Sequence, residues 1–166
     1  IFVYKKSIFE KYGLKVPETW DELMNICETL KQNGEIPFIL GDGTTWDAPH
    51  WYGALWQRCV PEDVLEKQDF NVKSVTLDDP GYIKGLKYFN EVMEKGYFKE
   101  NCVSLEHNMA LETFYAGEGA MAYVEVVEIN DVNNGLNGDF GFFPMPKIEG
   151  EAGNQEKTFG APEGMI

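Results

Sequence analysis

Basic residues are scarce in this chain: 14 Lys and Arg stand against 28 Asp and Glu, for a formal net charge of −14. Nucleic acids and anionic membrane surfaces are recognised by clustered cations, so neither is an expected partner. Cysteine is sparse as well. Cys27, Cys59 and Cys102 lie far apart with no C-x-x-C pair, and an odd number cannot all pair within one chain. A disulfide scaffold is therefore not expected, and Cys27, at an apolar helix position, reads as a small hydrophobe. No hydrophobic run approaches the length of a membrane span, and no signal peptide is legible. Catalytic signatures are missing too: there is no G-x-S-x-G elbow, no Walker P-loop and no H-E-x-x-H. The two histidines, His50 and His107, are too distant in sequence to suggest a zinc site by spacing. Neither a metal nor a cofactor is expected.

What is present is a globular composition. At 43% hydrophobic and 14% aromatic residues, 166 residues suffice to bury one core, so a single domain over 1–166 is expected. The chain opens on IFVYKK, a strand already under way without Met or leader. It closes on TFGAPEGMI without a polar tail, and both ends read as cuts in a longer protein.

Strand signals alternate with helix signals along the chain. IFVY (1–4) is a short buried strand, and KKSIFEKYGLKVP a short helix stopped at Gly13. TWDELMNICETLKQNG is the clearest helix, opened by a Thr19–Glu22 capping box and carrying Trp20, Leu23, Met24, Cys27 and Leu30 on one face. IPFIL (36–40) reads as a buried strand. GDGTTWDAPHWYGALWQRC is a glycine-containing loop entering a helix, with Asp47 as candidate N-cap and Pro49 in the first turn. A short strand is expected at Ser74–Leu77. Asp79–Pro80 opens a helix with Tyr82, Leu86, Phe89 and Met93 as its buried stripe. SLEHNMALETFYAG is a helix capped by Ser104 and stopped at Gly117, and AMAYVEVV (120–127) a strand. NDVNNGLNGD then reads as a turn before the strand FGFFPMP. The alternation predicts an α/β layer structure with a small, mostly parallel sheet flanked by helices.

At this point the residues carry a resemblance. KKSIFEKYGLKVPETWDELMNICETLKQNGEIPFIL is similar to a stretch common in extracellular solute-binding proteins of the maltodextrin-binding type. There a strand leads into N-K-D-L-F-E-K-Y-G-L-x-x-P-x-T-W-D-E-L, then a helix and an I-P-x strand. ETFYAGEGAMAYV resembles that family's F-x-x-G-x-A-A-M turn, and FGFFPMPKIEG its F-G-x-x-P-x-P strand and turn. The three stand in the family's order and together cover nearly the whole chain.

The resemblance implies a periplasmic-binding-protein-like (type II) fold: two lobes joined by a hinge around a ligand cleft. This chain would be most of the C-terminal lobe, with the first lobe before Ile1 and closing helices after Ile166. It further implies capture of a sugar, an oligosaccharide by preference, for the permease subunits of an ABC importer. The location implied is extracellular or periplasmic, with a lipoprotein anchor. A lobe cut from its partner would expose hinge surface, so self-association is a further expectation.

Sugar sites combine aromatic faces with carboxylates or amides that accept hydroxyl hydrogens. The loop GDGTTWDAPHW fits, with Trp46, Asp47, His50 and Trp51 at or beyond the edge of a Tyr52–Leu55–Trp56 core face. The resembled family draws an acid and an aromatic from the matching loop. Against this stands a plainer reading, with Trp46 and Trp51 in the core and Asp47 only a cap. Where the family often carries G-x-W after A-A-M, this chain has Glu125 and Val127, so the usual stacking Trp is replaced. Glu125 is then a candidate acceptor for hydroxyl hydrogens or partner for a cationic group, and Glu128 reads as a surface acid.

A glycosidase pair of Glu125 and Glu128 is the enzymatic rival. On a strand, residues three apart point to opposite faces and would not flank one bond. A calcium loop at 131–139 fails because Gly135 and Leu136 occupy its fifth and sixth positions. A sensor module or a receptor for another solute would share the fold.

Overall fold

The computed structural model describes residues 1–69 and 77–157. Short strands β1 (Phe2–Tyr4), β2 (Phe38–Ile39), β3 (Met121–Tyr123) and β4 (Gly141–Phe143) form one sheet in the order β2-β3-β1-β4. Around it lie helices α1 (Lys6–Lys11), α2 (Trp20–Gln32), α3 (Asp47–Cys59), α4 (Glu62–Asp69), α5 (Pro80–Glu94), α6 (His107–Tyr115) and α7 (Ile129–Leu136), with a 3₁₀ turn at Val126–Glu128. The expected α/β class is found; the parallel majority is not. Only β2–β3 is parallel, while β1 runs antiparallel to both β3 and β4. Three strands share a direction, but the opposed one sits inside the sheet, so both of its ladders are antiparallel. β1 pairs with strands far along the chain, and no short crossover dictates its direction.

Side chains alternate across this sheet and build a core on each face. Phe2, Phe38, Met121 and Phe143 meet Trp20, Leu23, Leu30, Trp51, Leu55 and Phe89 from α2, α3 and α5. Val3, Ile39 and Ala122 point the other way, onto Ala110, Leu111, Phe114, Val132 and Leu136 of α6 and α7. The Thr19–Glu22 capping box forms as expected: Thr19 Oγ1 accepts from the Glu22 N–H, and the Glu22 carboxylate from the Thr19 N–H.

Four expectations fail for identifiable reasons. The Asn- and Gly-rich stretch after β3 is helix α7, not a turn, because Ile129, Val132 and Leu136 keep helical spacing beneath the polar composition. Its Gly135 is there for close packing: a Cβ would stand 2.4 Å from the Tyr115 ring. The strand expected over 120–127 stops at Tyr123. On α5, Leu86 is 38% exposed, and the buried stripe runs through Tyr82, Gly85, Phe89 and Val92 instead. Ser104 does not cap α6, whose N-cap is Glu106; its hydroxyl donates to the Asn101 carbonyl. The strand expected at Ser74–Leu77 lies outside the described residues except Leu77, which is in a turn.

Candidate ligand-binding site

Because β2 and β3 are parallel, the loops that follow them leave the sheet at the same edge. Crevices of this kind, beyond the carboxyl ends of parallel strands, are where α/β sheets place ligands. The loop after β2 runs into α3, and the one after β3 folds into the 3₁₀ turn. The start of α6 stands beside both.

The first loop is anchored by its backbone. The N–H groups of Asp42 and Gly43 donate to the carbonyls of Cys102 and Leu105, each at 2.9 Å. Gly41 is required by the closeness of α6, since a Cβ there would lie 2.8 Å from the Cα of His107 and 2.7 Å from the Cβ of Ala110. Asp47, expected as a cap, is the first helical residue and caps nothing. Asp42 takes that role, its Oδ1 accepting from the Ala48 N–H at 3.0 Å. Asp47 is buried and turns inward, where Oδ2 accepts from the Gly41 N–H at 3.2 Å and pairs with His107 Nδ1 at 2.8 Å.

His107 is the hub. Its Nε2 meets Glu128 Oε1 at 2.5 Å, and the other Glu128 oxygen accepts from the Glu125 N–H at 2.8 Å. Ionised carboxylates only accept, so one beside each ring nitrogen suits an imidazolium that donates from both. Burial alone would depress its pKa, but hydrogen bonds to Asp47 and Glu128 outweigh that and hold it at about 9. Burial in turn would raise Glu128, yet the His107 and Glu125 hydrogen bonds keep its carboxyl below the usual range.

In front of this pair stands Trp46, half-buried, its ring 4.4 Å from that of His107 and 5.2 Å from that of His50. His50 Nδ1 lies 3.3 Å from Glu125 Oε1, and both side chains keep about a quarter of their surface exposed, 22% and 25%. Trp46, His50 and Glu125 thus gather at one partly open rim, with Asp47 behind it. Trp51 does not join them. It is fully buried in the sheet-facing core, edge-on to Phe2 at 4.8 Å and to Phe38 at 5.1 Å.

The model of the family described as bacterial extracellular solute-binding protein matches residues 1–165. This chain belongs to that family. An uncharacterized ABC transporter extracellular-binding protein of Pyrococcus horikoshii is 31% identical over 153 residues, covering 86% of this chain and 33% of that protein. The multiple sugar-binding protein of Streptococcus mutans is 46% identical over 43 residues, which is 26% of this chain and 10% of that one. A solved structure titled chitin oligosaccharide binding protein superposes with a TM-score of 0.80 at 24% identity, covering 91% of this chain and 38% of that chain. At that identity it shows the fold, the periplasmic-binding-protein type. The chain spans about a third of the length of the solute-binding relatives it matches over most of its own length.

Two residues of this chain escape a reading of the sequence. His107 was legible only as a metal ligand without a partner, yet Ala110, Leu111 and Phe114 follow it at helical spacing and put it on the buried face. Glu128 is no surface acid: its side chain is 16% exposed and bonded to His107. The reason given for separating it from Glu125 fails too, since the stretch is a 3₁₀ turn, where residues three apart lie above one another. A Glu-x-x-Glu capping pattern at the end of a strand was the available signal.

Proposed function

We propose that this chain is one lobe of a two-lobed extracellular receptor that captures a carbohydrate, by preference an oligosaccharide, for an ABC importer. The observation that carries the reading is the half-buried Trp46 ring beside the His50–Glu125 pair, at the carboxyl ends of two parallel strands. An indole face suits the C–H face of a pyranose, and a carboxylate next to it accepts hydroxyl hydrogens. The sugar-binding names of the Streptococcus mutans relative and of the chitin oligosaccharide binding protein support the ligand class.

The role is capture without chemistry. Glu125 and Glu128 are each engaged by a histidine, which suits positioning rather than acid and nucleophile work on a glycosidic bond. The opposing half of the cleft comes from another lobe of the same protein, and closure of the two lobes around solute signals the permease subunits. A lipoprotein anchor would hold the receptor near them. In isolation the lobe is proposed to self-associate through exposed apolar side chains such as Ile83 and Val103, 56% and 63% exposed. Light scattering that gives a clean monomer at high concentration would count against that.

The test is a thermal-shift and calorimetric screen of the full-length protein against mono- and oligosaccharides, with polyols and amino acids as controls. One sugar class should raise the melting temperature, and Trp46→Ala should weaken its binding roughly 10- to 100-fold, as loss of a central aromatic contact does. A response to polyols or amino acids alone would overturn the carbohydrate reading.

A further inference from the structure

Two side-chain links join the loops after β2 and β3: His50 to Glu125 at the rim, and the chain Asp47–His107–Glu128 behind it. The rear link reaches both proposed ligand contacts. Glu128 passes from His107 to the main-chain N–H of Glu125, and the His107 ring lies against Trp46. His107 is itself 6% exposed and covered by that indole.

Resting on the reading of Trp46 and Glu125 as ligand contacts, we infer that His107 is a positioning residue. Its buried cationic ring sets the face that Trp46 presents and the place of Glu125 without touching solute. Three features support the assignment. A cation against an indole is attracted to the ring face, which favours one orientation of Trp46. Both carboxylates need the cation, since without it they would be buried with a shared neutral neighbour. Gly41, at whose position a side chain would collide with His107, leaves the helix start free to approach the loop.

The charged groups facing His107 are Asp47 from α3 and Glu128 from the 3₁₀ turn, with the His50–Glu125 pair beyond Trp46. Lys5, which burial lowers to about 8, lies at the far end of β3, bonded to the carbonyls of Glu118 and Gly119.

The test follows the Trp46 indole N–H resonance of the full-length, ligand-free protein from pH 6.5 to 10.5, identified by its loss in Trp46→Phe. It should titrate with a midpoint near 9, the value at which His107 is held. The titration should vanish in His107→Gln and move to lower pH in Glu128→Gln, which keeps the ring but removes one of its carboxylates. A flat Trp46 resonance, or a midpoint unmoved by Glu128→Gln, overturns the assignment, and neither outcome depends on His107→Gln folding. Raffinose and chitotriose serve as probes for the second arm. Whichever binds the wild type should bind folded His107→Gln about tenfold more weakly, and an unchanged affinity overturns the role. If neither binds, the carbohydrate reading suffers while the ligand-free titration still decides the fate of His107.

Discussion

Helix α3 is held at each end by a buried cation, and the two are neutralised by different means. At its start, His107 lies between the carboxylates of Asp47 and Glu128. At its end, Arg58, 2% exposed, donates among the described residues to backbone carbonyls: Met145 at 2.7 Å, Pro146 at 3.2 Å, Asn154 at 2.9 Å and Lys157 at 2.6 Å. Burial lowers the Arg58 pKa, but a guanidinium stays charged throughout the range a protein tolerates. One end of α3 is therefore tied by a titratable ion triad and the other by a fork of dipoles indifferent to pH. The triad faces the proposed solute; the fork gathers the segment that leaves β4. The difference is that between a joint that tunes a site and one that only fastens the chain.

The harshest way to break the comparison is Arg58→Met. It strips donors from four carbonyls in a packed site, and should cost about 4 kcal/mol in chemical denaturation, the scale of losing one partner of a buried charge arrangement. A loss under about 1 kcal/mol would mean that residues 145–157 are held by other contacts. Next comes Gly41→Ala, whose methyl would press on Ala110 and the His107 backbone. Overpacking there should cost about 2–3 kcal/mol and pull Asp47 away from His107.

The pH dependence separates the two ends. His107 is raised from an unfolded value near 6.5 to about 9, so the native state holds its proton more tightly. Its contribution is complete below about pH 6.5 and fades as pH climbs through about 9. The stability gap between wild type and Glu128→Gln should accordingly shrink by about 1–2 kcal/mol between pH 6.5 and 9.5, whereas the gap to Arg58→Met stays level. Differences between variants cancel Lys5, which burial lowers to about 8 and which works in the opposite sense. Parallel gaps for both variants would erase the distinction between the two joints.

Much of this fold was legible in the sequence because periodicity and caps are local. The Thr19–Glu22 box, the buried face of α2 and the strand FGFFPMP follow from residues near one another. What stayed hidden depends on which elements meet. The antiparallel setting of β1 is decided by strands more than a hundred residues away. α7 was masked by its asparagines, although Val132 and Leu136 kept the spacing of a helix. For the proposed site, composition singled out the loop carrying Trp46, His50 and Trp51, but it could not tell that Trp51 belongs to the core. His107 and Glu128 were misjudged because their local signals, a buried helix face and a capping pattern, do not say that the two side chains pair. It exists only once two loops leave parallel strands at one edge.

The finest distinction concerns the first turn of α3, where two acids compete for the same description. The Asp42 carboxylate accepts from the Ala48 N–H, while that of Asp47 points back to Gly41 and His107. Asp42→Ala should therefore cost about 1 kcal/mol, the usual price of a lost cap, with no change in the His107 titration. Asp42→Asn keeps an acceptor oxygen and should recover most of that stability. Asp47→Asn should instead lower the His107 midpoint, since it removes a charge from beside the ring and leaves the Asp42 cap in place. If Asp42→Ala moved that midpoint as far as Asp47→Asn does, cap and triad would be a single coupled unit, and the start of α3 would answer to pH through its cap as well.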